Sequence, residues 1–154
     1  MKTKQETGFS LLELMIAVAI VGVISAVVYP SYRAYIIDAR RVDAQQALLS
    51  FANAMERFKV ENSTYEGAAI GGASTGAPSP TVFPSQAPID GADAFYNLSI
   101  QASGTRNYTL RADPVNGSSQ DGNGLMEILS TGVKRWDKND DGDTSDTGEN
   151  NWEN

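Results

Sequence analysis

The residue that most constrains this chain is Glu13, because it stands alone. From Phe9 to Tyr29 it is the only formal charge in an otherwise apolar run. A helix rising about 1.5 Å per residue carries a run of that length across roughly 30 Å, the thickness of bilayer hydrocarbon. The run can therefore span a membrane once. An unpaired carboxylate at that depth costs about 2.5–3.5 kcal/mol, which makes Glu13 a functional residue in need of a partner. A snorkelling acid near the interface of a single-pass anchor is the competing reading.

A secretory signal places its small-residue cleavage motif after the apolar stretch, so that the stretch is discarded. Here the small residue, Gly8, comes before it and closes a short polar leader containing Lys2 and Lys4. Beyond the run, Arg33, Arg40 and Arg41 are interleaved with Asp38 and Asp43. The N-terminus is read as cytoplasmic and the bulk of the chain as translocated.

With 154 residues there is room for about one small domain on such an anchor. There is no Cys to staple it, and no His to serve as the commonest metal ligand and general base. No nucleophile and base can be nominated, so the chain is not expected to be an enzyme. The formal charge of −7 repels phosphate backbones on average, and nucleic acid is not an expected partner.

After Pro30, apolar residues recur at Tyr32, Tyr35, Ile36, Ala39, Val42, Leu48, Leu49, Ala52, Met55 and Phe58, a helical spacing. The expected stripe buries against a sheet, with Arg40, Arg41, Asp43, Gln45 and Gln46 mostly on other faces. Asn62-Ser63-Thr64-Tyr65 ends the helix. Residues 67–94, rich in Gly, Ala, Ser and Pro, should run over the surface without long regular elements. Alternation at Tyr96, Leu98 and Ile100, then at Tyr108, Leu110 and Ala112, predicts two strands, and Leu125–Leu129 and Val133–Trp136 predict two more. The expected fold is α+β: a long N-terminal helix, apolar over 9–29 and amphipathic over 30–61, then a loop over 62–94. An antiparallel sheet of about four strands follows over 95–136, and an acidic C-terminal loop over 137–154.

Gly8-Phe9-Ser10-Leu11-Leu12-Glu13-Leu14-Met15, followed by an apolar helix and Pro30, resembles the class III signal of type IV prepilins and pseudopilins. The resemblance implies a leader of residues 1–8 cut after Gly8, and N-methylation of Phe9 by the same prepilin peptidase. It also implies a role for Glu13 in assembly. The freed α-amine of Phe9 would be cationic below about pH 7.7–8.0, and in a stack of parallel copies it would reach a neighbour's Glu13. Gly22 and Pro30 match positions that bracket a stretch able to lose helicity in the filament, although Gly also helps membrane helices pack. The order Asn62-x-x-Tyr65, Tyr108-x-Leu110-x-Ala112-x-Pro114, Gly124-Leu125 and Gly132-x-Lys134-x-Trp136 resembles minor pilins of the PilE type. That family often carries a C-terminal disulfide, which a chain without Cys cannot form.

Asp137, Asn139, Asp141, Asp143, Asp146 and Glu149, with Gly142 at the turn, resemble a calcium loop. An EF-hand would place its bidentate Glu at 148, where this chain has Gly, so a solvated acidic turn remains the alternative. No cofactor is required, and calcium is the one candidate.

Three functional classes follow. The leading one is a structural subunit of a type IV pilus, a minor pilin acting in assembly and thereby in adhesion or motility. Its partners would be other pilin subunits, the peptidase, the inner-membrane assembly machinery and, before assembly, lipid. Its location would be the inner membrane with the C-terminal domain periplasmic, then the surface pilus. The second class is a type II secretion pseudopilin with a calcium-binding C-terminal loop. The third is an adhesin or DNA-binding subunit using the 67–94 loop.

Overall fold

The computed structural model describes residues 9–153, so Gly8 and the rest of the leader lie outside the described residues. One helix, α1, runs from Leu11 to Asn62 and continues through Pro30. Pro30 removes the amide that would bond the Ala26 carbonyl. One residue on, the Ser31 hydroxyl donates to the Val27 carbonyl at 3.2 Å. The chain divides into two units, one ending at Ile36 and one starting at Ile37.

In the first unit the helix is uncovered: Leu11, Met15, Val18, Val21, Ile24 and Val28 are all more than half exposed. In the second, α1 turns one face inward through Arg41, Ala44, Ala47, Leu48, Phe51, Ala54 and Met55. This corrects the expected stripe at several points. Leu48 and Met55 are buried, but Tyr32, Tyr35, Val42 and Leu49 are exposed, and Arg41 lies inside the stripe. The apolar list mixed two faces of one helix. Three alanines on the true inner face carry little hydropathy but allow close approach to the sheet.

Five strands form one antiparallel sheet: β1 Gln86–Ala87, β2 Tyr96–Ser103, β3 Tyr108–Pro114, β4 Met126–Leu129 and β5 Lys134–Trp136. β1 is the additional strand, two residues long, paired with β2 at Gln86↔Asn97 and Ala87↔Tyr96. It arises from a segment too rich in proline to advertise a strand. Alternation sends Tyr96, Leu98, Ile100, Tyr108, Leu110, Ala112, Met126, Ile128 and Trp136 to the core face. Each large side chain buried there contributes about 1.5–3 kcal/mol relative to exposure.

Residues 67–94 are a packed strap rather than a purely superficial loop. A 3₁₀ turn at Ile70–Gly72 opens it, and Ala68, Ala69, Phe83 and Ala87 join the core cluster. Phe83 stacks on Phe51 of α1 with ring centroids 4.9 Å apart and planes 4° from parallel. The strap also lines the outer edge of β2. Gly76 and Ile100 exchange both backbone hydrogen bonds at 2.8 Å, the Leu98 amide donates to the Ser85 carbonyl, and the Ser103 hydroxyl donates to the Ser74 carbonyl.

The opposite edge, β5, is lined by the C-terminal tail. The Trp136 amide donates to the Glu149 carbonyl at 2.9 Å, and the Trp152 indole Nε1 donates to the Arg135 carbonyl at 2.9 Å. Just ahead of β4, Gly124 sits at φ +67° with the Asp137 carbonyl against it, where an added Cβ would come within 1.6 Å of that oxygen. We expect Gly124→Ala to destabilise the detergent-solubilised chain by at least about 2 kcal/mol through backbone strain and overpacking. Gly132→Ala, at φ +83° but facing open space, should cost about half as much. Denaturant unfolding of the two variants checks the difference, and equal losses would show that the Asp137 contact does not matter.

Candidate functional site

The N-terminal site begins with a reciprocal pair. The Ser10 amide donates to Glu13 Oε2 at 2.9 Å, and the Glu13 amide donates to Ser10 Oγ at 3.2 Å. This is a capping box, which satisfies two of the amides left open where α1 starts. Sequence reasoning missed Ser10, although Ser-x-x-Glu ahead of an apolar run is its signature. Glu13 is exposed and its Oε1 accepts no hydrogen bond among the described residues. Phe9 precedes the cap with its ring 84% exposed. Gly22 lies inside the apolar helix with nothing within 4 Å of where a Cβ would stand.

The acidic loop is organised around its own backbone. Asp137, buried, accepts from the amides of Asp141 and Gly142 at 3.2 and 2.9 Å. Glu149, also buried, accepts from the amides of Lys138 and Asp146 at 3.1 and 3.2 Å. Asp143 accepts from the Ser145 amide at 2.7 Å, and that bond holds its carboxyl below the usual range. These three carboxylates act as turn caps.

Asn139 occupies a different place, donating from Nδ2 to Asp141 Oδ2 at 2.9 Å and to Asp146 Oδ2 at 3.0 Å. Among the described residues no group of three or more acidic or imidazole side chains is gathered to hold an ion. The six nominated ligands thus divide: Asp137, Asp143 and Glu149 are spent on backbone amides, whereas Asn139, Asp141 and Asp146 meet at one exposed point, where Asp141 Oδ1 also accepts from the Asp143 amide at 3.1 Å and Asn139 Oδ1 from the Asp141 amide at 3.2 Å. A cation fits that point only if the Asn139 amide turns, presenting Oδ1 instead of Nδ2.

Between the sheet and α1 lies a polar hub that the sequence reading assigned to the solvent side. Arg41, 6% exposed, donates to Asn123 Oδ1 at 3.1 Å and to Asp38 at 2.7 Å, and stacks over the Trp136 ring at 4.1 Å from its centroid. Asn123 Nδ2 donates to the Tyr96 hydroxyl and to Gln120 Oε1, both at 2.9 Å, and the Trp136 indole donates to the Asn123 carbonyl. Burial of Tyr96 pushes its hydroxyl up to about 12. Arg40, one residue earlier, lies over the Phe95 ring at 3.6 Å and donates to Ser119. The hub pins the β3–β4 connection to the helix.

On the sheet's other face, Arg111 pairs with its cross-strand neighbour Glu127 at 2.8 Å. Thr144 from the tail donates to the second Glu127 oxygen at 3.0 Å. Asp113, Asp121, Asp137, Asp140 and Asp141 line a cleft of about 330 Å³. Burial raises the Asp113 carboxyl above its ordinary value; Arg111 opposes the rise and Glu127 adds to it.

Residues 30–124, more than half of the chain, match the profile of a family described as "Type IV minor pilin ComP, DNA uptake sequence receptor". Residues 3–29 match the prokaryotic N-terminal methylation motif. The chain is 32% identical over 77 residues to prepilin peptidase-dependent protein D of Escherichia coli strain K12, covering 50% of this chain and 51% of that protein. It is 33% identical over 67 residues to type II secretion system core protein G of Vibrio cholerae, covering 42% and 44%, and 31% identical over 65 residues to core protein G of Pseudomonas aeruginosa, covering 42% and 46%. The chain thus spans about half the length, or less, of these curated relatives.

The Asp113 environment yields a pH prediction. With its folded pKa raised, Asp113 keeps its proton to higher pH in the folded chain than in the unfolded one. Stability contributed by this group therefore falls as pH rises from about 3.9 through the folded value, and is flat above it. Asp113→Asn should be more stable than the parent at pH 7, by less than about 1 kcal/mol because the carboxyl is only half buried. The difference should vanish in acid; thermal unfolding at both pH values measures it.

Proposed function

The chain belongs to the ComP-type minor pilin family, and on that premise we propose that it is a minor subunit of a type IV pilus, acting in filament assembly. The profile match over residues 30–124 carries this reading. The geometry supports it: the large apolar side chains of α1 from Leu11 to Val28 are each more than half exposed, and such a surface calls for lipid or other subunits. The proposed life history is insertion with the domain outside the inner membrane, cleavage after Gly8 and N-methylation of Phe9 by prepilin peptidase, then transfer into the filament by the assembly machinery.

In this account Glu13 holds its own helix start with Oε2 through the Ser10 amide. Its second oxygen is offered to the Phe9 amine of a neighbouring subunit. Glu13→Gln should be processed and inserted normally yet incorporate into filaments about tenfold less, the equivalent of ~1.4 kcal/mol per subunit. N-terminal sequencing of the purified product should begin at Phe9. Equal incorporation of the variant, scored by immunoblot of sheared pili, would remove Glu13 from the mechanism.

The family description names a DNA uptake receptor. In this chain, at −7 overall, Arg40, Arg41 and Arg111 are engaged with Phe95, Trp136 and Glu127 rather than arrayed for phosphate contacts, so DNA is not among the proposed partners. The type II secretion core protein G relatives favour a second reading, a pseudopilin. With that reading comes a proposed calcium ion held by Asp141, Asp146 and a turned Asn139. Calorimetry should show affinity in the millimolar range, as for extracellular calcium modules, and Asp141→Asn should abolish it. Absence of heat with the parent chain would leave the loop a backbone-capped turn.

A further inference from the structure

We propose that Tyr29, Tyr32 and Tyr35, with Arg33, form a collar that seats the unassembled chain in the headgroup layer of a phospholipid bilayer. The proposal rests on reading Phe9–Tyr29 as the membrane-spanning segment and adds where that segment stops and what holds it there.

The three rings are 65%, 62% and 70% exposed. At three-residue spacing each is displaced by about 60° from the last, so together they cover about a third of the helix circumference. Tyrosine is matched to the membrane boundary, since its ring prefers the acyl border and its hydroxyl prefers water. The dimensions put Tyr29 at the hydrocarbon border, Tyr32 inside the headgroup layer and Tyr35 at its outer limit. Tyr29 ends an apolar run that fills roughly 30 Å of hydrocarbon, and Tyr35 stands about 9 Å further along α1. A single headgroup layer is about 5–8 Å thick.

The remaining residues of this stretch fit the same boundary. Arg33 is exposed at the same height, about 40° round the helix from Tyr29 on the side away from the other rings, where its guanidinium can donate to lipid phosphates while its stem follows the apolar border. The Ser31 hydroxyl is satisfied by the Val27 carbonyl. Pro30 deprives the Ala26 carbonyl of its helical donor, a loss that is expensive in hydrocarbon and cheap where water enters. A second copy of the helix is the rival occupant, but it would not require aromatic hydroxyls and a cation gathered at the end of the apolar run.

The chain has no Cys, so a single introduced thiol carries a spin label unambiguously. Full-length Val21→Cys, Ala34→Cys and Ser50→Cys would be reconstituted separately in phosphatidylcholine–phosphatidylglycerol vesicles, and label collisions measured with oxygen, which concentrates in lipid, and with a nickel chelate, which stays in water. The expected order of oxygen-to-nickel ratio is Val21 highest, Ser50 lowest and Ala34 several-fold from each. Replacing Tyr29, Tyr32 and Tyr35 by Ser in the Ala34→Cys chain should lower its ratio to that of Ser50. A Val21 label deep in lipid with an Ala34 label as wet as Ser50, or no response to the triple replacement, overturns the collar and leaves the membrane reading standing. A wet Val21 label overturns both. Dipolar broadening of the Ala34 label at low protein density assigns the tyrosines to a second copy instead.

Discussion

A single helix in this protein has to satisfy two solvents, and the remaining structure follows from that constraint. Its first half exposes branched aliphatic side chains that water cannot accommodate cheaply. Its second half must hide a face against a sheet of modest size, in a chain without disulfides. The hidden face solves this with small residues: Ala44, Ala47 and Ala54 let the backbone come close, while Leu48, Phe51 and Met55 fill the depth. Close approach over this face fixes the second half of the helix on the sheet.

Arg41 is where that attachment is most specific. A buried guanidinium is costly unless its charge and donors are met, and here they are met by an aromatic face, an amide oxygen and a carboxylate from different parts of the chain. Removing any one partner would strand the others. The hub thus favours one register of helix on sheet, which an apolar interface alone would fix less sharply.

The apolar run, Glu13 and the α+β order were legible in the sequence because each depends on composition or short periodicity. The strands at Tyr96–Ser103 and Tyr108–Pro114 were visible from alternation alone. Arg41 was misplaced because hydropathy ranks a guanidinium as exterior, and two of the groups that make its burial tolerable, Asn123 and Trp136, are far away in sequence. The fifth strand was illegible because two residues between prolines carry no period. Phe83 looked like a loop residue until the ring of Phe51 was placed beside it. Within the candidate sites, Glu13 was singled out by its charge, and Ser10 was overlooked although the Ser-x-x-Glu spacing carried it. The acidic loop's spacing gave no warning that four of its carboxylates, those of Asp137, Asp141, Asp143 and Glu149, would be taken by neighbouring amides.

Both margins of the sheet are occupied from within the same chain, one by the strap from Ser74 to Ala87 and the other by the tail through Glu149 and Trp152. Open margins are templates for uncontrolled strand addition, a hazard for any protein held at high local concentration. Sealing them takes the sheet's backbone out of play as an adhesive surface among the described residues. Drift toward amyloid-like fibres, which begins at unpaired strand edges, is thereby hindered at its usual origin.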